Sequence, residues 1–237
     1  TKPPPLSRSP YAITGGLGGL GLRAAALLVD GGASPSLLAS RGGQVMRDGH
    51  GLEAWLRSTG AAATVAASDS ADSSDASTLL GIDECAGMLH AAGVGDKGLL
   101  VELEAQRAEW ACASKALGEW HVQCDAAVAP LEARVLFSSV GAGLGNAGQA
   151  SYAAANASMG ALALTQRACG TAASSVQWPL VGGAGMGAAA FASVVERQAT
   201  IAGLAGIDLD EYAACLAAQL VSCHGTTLSV QMAHRSE

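Results

Sequence analysis

Apolar residues fall along this chain in short unbroken runs, separated by longer stretches where they recur every three or four positions. The runs predict strands at 11–14, 36–40, 63–68, 85–93, 133–139, 174–180 and 226–233. The helical spacing predicts helices at 19–30, 51–60, 107–123, 152–170 and 208–221, several of them closed by glycine. Strands that are apolar throughout, rather than alternating, belong to a sheet covered on both faces. Their regular alternation with helices predicts an α/β protein built on a doubly wound parallel sheet, as a single domain. Two stretches fit neither pattern. Residues 68–77 are an Ala/Ser/Asp tract, and 182–206 carry weak periodicity and many small residues, which suggests a lid. The proline-rich start, 1–10, reads as a linker to a domain spanning 11–233.

Composition narrows the partners. With 13 Lys plus Arg against 20 Asp plus Glu the net charge is −7, and no basic stripe carries interleaved aromatics, which argues against nucleic acid. No run is long and apolar enough for a membrane span, and the N-terminus is not a signal peptide. Six scattered cysteines without a CxxC pair read as buried thiols in a reducing, intracellular compartment, most simply the cytoplasm, and no metal site is expected.

The first strand runs straight into "TGGLGGLG": Thr14, Gly15, Gly16, Leu17, Gly18, Gly19, Leu20 and Gly21. Between a strand and a helix, such glycines allow a tight turn and let the backbone approach a pyrophosphate at the helix N-terminus. The second strand ends in Ser40 and Arg41, where an NAD site would place an acid; a guanidinium suits a 2′-phosphate, so NADPH is the expected cofactor.

A second constellation lies in "FSSVGAGLGNAGQASYAAANA". Ser139 closes a strand at the edge where such sheets hold ligands, with Ser138 as its neighbour. Tyr152 and Asn156 are four residues apart on one helical face. Lys115 sits in an alanine-rich helix, where spacing alone points to a surface residue.

Together with "LLASR", "HAAGV", "SKALGEWH" and "QWPLVGGAGM", these segments resemble the ketoreductase domains of modular polyketide synthases, within the short-chain dehydrogenase/reductase superfamily. The resemblance runs from Tyr11 to about Val221 and implies a Rossmann-like fold. Ordinary members of that superfamily carry a lysine four residues after the tyrosine; polyketide ketoreductases resemble this chain, with asparagine there and the lysine on the preceding helix. The resemblance therefore implies Tyr152, Ser139, Lys115 and Asn156 as catalytic residues. Ketone reduction needs hydride at carbon and a proton at oxygen. Tyr152 would supply the proton, Lys115 would favour the phenolate, Ser139 would hydrogen-bond the carbonyl oxygen and Asn156 would hold Lys115 or a water. Asp69 matches a family position near the adenine, and Ala91, Ala92 and Gly93 a turn that lines the cofactor.

The implied reaction is reduction of a β-ketoacyl thioester carried on an acyl carrier protein, with neighbouring synthase domains as partners. A freestanding short-chain reductase of a diffusible ketone or acyl-CoA, and a catalytically silent structural module, are the alternatives. The residues that mark product configuration are incomplete: after "HAAGV" stand Gly95, Asp96 and Lys97, where one class has Leu-Asp-Asp, and Leu144 replaces the other class's tryptophan. Pro179 stands where the family usually has glycine. The family's N-terminal structural half has no counterpart here, so a segment of a larger synthase, self-associating or paired in trans, is expected.

Overall fold

The computed structural model describes residues 9–34, 36–45, 52–59, 63–81, 85–126, 131–145, 147–183, 185–188 and 206–222. The strands are β1 (Tyr11–Thr14), β2 (Ser36–Ser40), β3 (Ala63–Ala67), β4 (Gly87–His90), β5 (Ala133–Ser139) and β6 (Ala173–Trp178). All pair in parallel, in the order β3-β2-β1-β4-β5-β6. The chain winds outward from β1 to one edge, returns to β4 and winds to the other. The order therefore reverses between β1 and β4, and a crevice opens above their carboxyl ends. A strand expected at 226–233 and most of the expected lid lie outside the described residues.

The helices are α1 (Gly19–Asp30), α2 (Leu52–Thr59), α3 (Ser73–Leu80), α4 (Ala105–Cys112), α5 (Gly118–Ala126), α6 (Gly141–Leu144), α7 (Ala150–Ala168) and α8 (Leu209–Ser222). Strand alternation sends Ile13, Leu38, Leu89, Val135 and Phe137 to one face, where they pack with Leu22 and Leu28 of α1 and with Tyr212 and Leu216 of α8. Met88 and Leu136 point the other way, against α3, α5 and α7. Phe137, Trp178 and Tyr212 stack with ring centroids 4.7 to 6.4 Å apart, and the Tyr212 hydroxyl donates to the Leu20 carbonyl at 2.9 Å. Aromatic pairs of this kind contribute about 0.5–1.5 kcal/mol each beyond their burial, here directly beneath the glycine loop.

Three features depart from the sequence pattern. β3 is an edge strand with Val65 exposed, so its run of small apolar residues is not covered on both faces. The Ala/Ser/Asp tract contains α3. Its N-cap is Asp72, which accepts from the main-chain N–H of Ser74 and Asp75 at 2.9 and 3.0 Å, and such caps contribute about 0.5–2 kcal/mol. The long helix expected over 107–123 is instead α4 and α5 joined by a π turn, Ala113–Leu117, with Lys115 at its centre.

Between the π turn and α7 runs an open groove of about 750 Å³, lined by Cys112, Ala116, Leu117, Trp120, Ala161 and Leu162 among others. Trp110, Leu117, Trp120 and Leu164 are 44–54% exposed nearby. Exposed apolar surface of this kind drives association. The chain alone is expected to sediment as a concentration-dependent mixture and to melt over a broad range; a monodisperse monomer with a sharp, high-temperature melt would contradict this.

Candidate active site

The glycine loop is built for close backbone approach. Gly15 has φ +64°, and a Cβ there would lie 2.6 Å from the Ala91 carbonyl oxygen and the Ala92 nitrogen. The loop thus lies flat against the turn after β4. A Cβ on Gly21 would collide with the Gly15 carbonyl. Gly18 is the N-cap of α1, and the first turn of α1 holds no acid, so its N-terminal N–H groups and positive dipole end are left for an anion. Not every residue of the motif faces the crevice. Leu17 is 1% exposed in the core, Gly16 abuts the Leu38 backbone, and the Thr14 hydroxyl is hydrogen-bonded to His90.

At the ends of β2 and β3, the Ser40 and Ser68 hydroxyls are buried without a protein partner, while Arg41 is exposed and makes no ion pair among the described residues. Asp69 is held by its own loop: its carboxylate accepts from the Ala71 N–H at 3.0 Å, and its N–H donates to Asp75 at 2.8 Å. Unpaired buried hydroxyls, a helix N-terminus and a glycine cradle are what an adenine dinucleotide would fill.

Lys115 is 3% exposed, so the structure overturns the surface position that spacing alone suggested. Its Nζ donates to the carbonyl of Phe137, two residues before Ser139, at 2.8 Å, and burial lowers its pKa to about 8. Gly93 makes room for it, since a Cβ there would lie 2.7 Å from Lys115 Cε. Asn156 is fully buried; its Nδ2 donates to the Tyr152 carbonyl at 2.8 Å, and its Oδ1 has no partner among the described residues. The Ser138 hydroxyl donates to the Asn156 carbonyl at 2.9 Å and ties α7 to β5. The Ser139 Oγ accepts from the Gly141 N–H at 3.2 Å, which leaves its own proton to donate. Tyr152 is half-buried near the start of α7. The lysine, serine, tyrosine and asparagine are therefore linked through β5 and α7 at one sheet edge.

Two features of the site escaped the sequence reading. Asp96 is 7% exposed; its carboxylate accepts from Ser151 Oγ at 2.6 Å and pairs with Arg107 at 2.5 Å. The Ser151 hydrogen bond, and then Arg107, hold its pKa below the usual value, and the contact clamps the loop after β4 to the residue preceding Tyr152. The signal available was the lone acid surviving after "HAAGV", which the sequence reading took only as a mark of product configuration. The second feature is the contact set of His90: the sequence places it at the head of the cofactor-lining turn or as a packed loop histidine, and the structure buries it fully between Thr14 and the π turn.

With this geometry in place, comparison with known proteins decides the family. The KR domain family model matches residues 9–183. The chain belongs to the ketoreductase (KR) domains. It is 39% identical over 170 residues to the polyketide synthase GfsB of Streptomyces halstedii, covering 70% of this chain and 3% of that protein. It is 35% identical over 225 residues to the spectinabilin synthase protein NorB of Streptomyces orinoci, covering 92% and 10%. The chain thus spans a small part of the curated relatives it matches. Among solved structures, A-type ketoreductases from a modular polyketide synthase superpose with a TM-score of 0.81 at 34% identity, covering 95% of this chain and 47% of theirs. The first ketoreductase of the tylosin synthase superposes at 0.76, with 34% identity and coverage of 93% and 48%. The KR family implies a nicotinamide cofactor, and no described helix is long and apolar enough to cross a membrane.

Proposed function

We propose that this KR domain reduces a β-ketoacyl thioester, carried on an acyl carrier protein of a polyketide synthase, to the β-hydroxyacyl thioester with NADPH. The observation that carries the reading is the buried Lys115, its ammonium 2.8 Å from the Phe137 carbonyl beneath Ser139, on the edge shared with Tyr152 and Asn156. Burying a cation is costly, and a buried lysine with a lowered pKa beside a tyrosine-bearing helix is a candidate for chemistry.

When bound, the reduced nicotinamide supplies hydride to the ketone carbon. The work of the chain is to orient the substrate and deliver the proton. Ser139, whose oxygen is already engaged by Gly141, donates its proton toward the ketone oxygen as charge builds there. Tyr152 donates the proton that completes the alcohol, and the Lys115 ammonium stabilises the phenolate left behind. The unpaired Oδ1 of Asn156 supplies the acceptor that holds a water for reprotonation. The glycine loop and the Ala91–Gly93 turn hold the dinucleotide, with Ser40, Arg41 and Asp69 at its adenosine end. The partners are the carrier protein and neighbouring synthase domains, in the cytoplasm.

NADPH preference is supported by Arg41, just past the end of β2, exposed and without an ion pair among the described residues. Arg41→Ala is expected to weaken NADPH binding by about 1.5–3 kcal/mol, as for one charge-assisted hydrogen bond, and to leave NADH nearly unchanged. Equal losses in fluorescence titrations with the two cofactors would reject a 2′-phosphate contact. Substrate delivery is tested by comparing kcat/KM for a carrier-bound β-ketoacyl thioester with that for its small thioester mimic. A clear advantage for the carrier-bound form supports the assignment, and parity points to a reductase of diffusible ketones.

A further inference from the structure

His90 ends β4 and is fully buried, on the sheet face that carries α5. Its Nε2 lies 3.1 Å from the carbonyl oxygen of Lys115, and its Nδ1 lies 2.7 Å from Thr14 Oγ1. A carbonyl only accepts, so Nε2 carries the proton. Nδ1 is then an acceptor, and the Thr14 hydroxyl donates to it. Burial first, and then the Lys115 charge, lowers the pKa of the ring to about 3, so it is neutral at working pH. One side chain thus bridges the end of β1, where the glycine loop begins, and the turn that carries the lysine.

That turn has an outside contact. A π turn interrupts the regular α-helical hydrogen-bond ladder and is found often at functional sites. Here the turn closes through the Gly118 N–H, which reaches the carbonyls of Ala113 and Lys115, and the Lys115 carbonyl is also met by His90. Gly118 lets the ring approach, since a Cβ there would lie 3.2 Å from His90 Cε1 and 2.7 Å from Ser70 Oγ.

We propose that His90 is a positioning residue of the reduction site, tying the Lys115 carbonyl to the Thr14 end of the glycine loop and so fixing where the Lys115 ammonium stands. The proposal rests on the reading of Lys115 as the cation of the proton relay. It makes the site of the proton relay and the site of the dinucleotide one unit.

Two substitutions separate the ends of the bridge. An Asn amide reaches about as far as Nδ1, and a Gln amide about as far as Nε2. His90→Asn keeps the Thr14 contact and loses the Lys115 contact; His90→Gln does the reverse. Each variant cuts the bridge at one end, so each is expected to lower kcat about tenfold or more, with the NADPH Kd and thioester KM within about threefold of the parent. Parental kcat in either variant overturns the proposal. Nitrogen-15 NMR of the parent ring gives a reading that needs no turnover. It should show a neutral ring protonated at Nε2 from about pH 5 to 8. A ring protonated at Nδ1, or one that titrates in that range, overturns the proposal, and this measurement decides alone if neither variant folds. An inactive parent counts against the reduction itself, whereas the ring tautomer counts only for or against His90.

Discussion

Tyr152→Phe is expected to abolish ketone reduction while leaving the fold and cofactor binding intact. The half-buried ring stays in place near the start of α7, and no described group depends on the hydroxyl for a hydrogen bond. What disappears is the proton donor. Proton transfer by a placed acid is worth about 10²–10⁴ in rate, so turnover should fall by at least that factor. The thioester KM and the NADPH Kd should move little, because the phenol acts in the transition state. Steady-state kinetics with a fluorescence titration of NADPH reads all three. A variant that still turns over near the parental rate would remove Tyr152 from the mechanism.

The second large effect belongs to Lys115. Lys115→Met is the informative change, because it keeps the aliphatic stem that lies above Gly93 and deletes the ammonium. Removing one preorganised charge of this kind costs about 10²–10³ in kcat. The pH dependence follows from burial. The ammonium is held at about 8, below the ordinary ~10.4 of lysine. The folded state then binds fewer protons than the unfolded state between those values, so this group's contribution to stability rises with pH across the window. Activity moves in the opposite direction. The relay needs the cation, and the parental rate is expected to fall as pH rises through about 8. Lys115→Met should lack that limb, so the ratio of parent to variant should be largest below pH 8 and shrink above it. A constant ratio across the range would mean that the titrating group is not Lys115.

Legibility from sequence followed the locality of the physics. β1, β2 and β5 have the bounds their apolar runs suggested, because a buried parallel strand writes itself as an uninterrupted run. α3 was hidden because its residues are Ser, Asp and Thr in large part; it is fixed by the Asp72 cap and by the burial of Ala76 and Leu79, neither of which gives a periodic signal. The π turn was not legible at all, since the side-chain contact on its Lys115 carbonyl comes from His90, 25 residues earlier. Lys115 illustrates the same limit. Spacing on an alanine-rich helix suggested the surface, the family resemblance suggested the site, and the structure buries it against Phe137 and Gly93. Within the glycine motif, sequence could not divide Gly15 and Gly21, which make the cradle, from Leu17, which fills the core. The Asp96 clamp on Ser151 was missed because its partners lie 11 and 55 residues away and nothing in either segment announces the other.

The measurement that bears most directly on the central claim is turnover by the parent chain. A β-ketoacyl thioester on a carrier protein is mixed with the enzyme and NADPH, and nicotinamide absorbance is followed alongside mass spectrometry of the acyl group. The expected result is absorbance loss matched mole for mole by a β-hydroxyacyl product two hydrogens heavier. Tight NADPH binding with no reduction of the acyl group would contradict the account and leave a dinucleotide-binding but catalytically silent module.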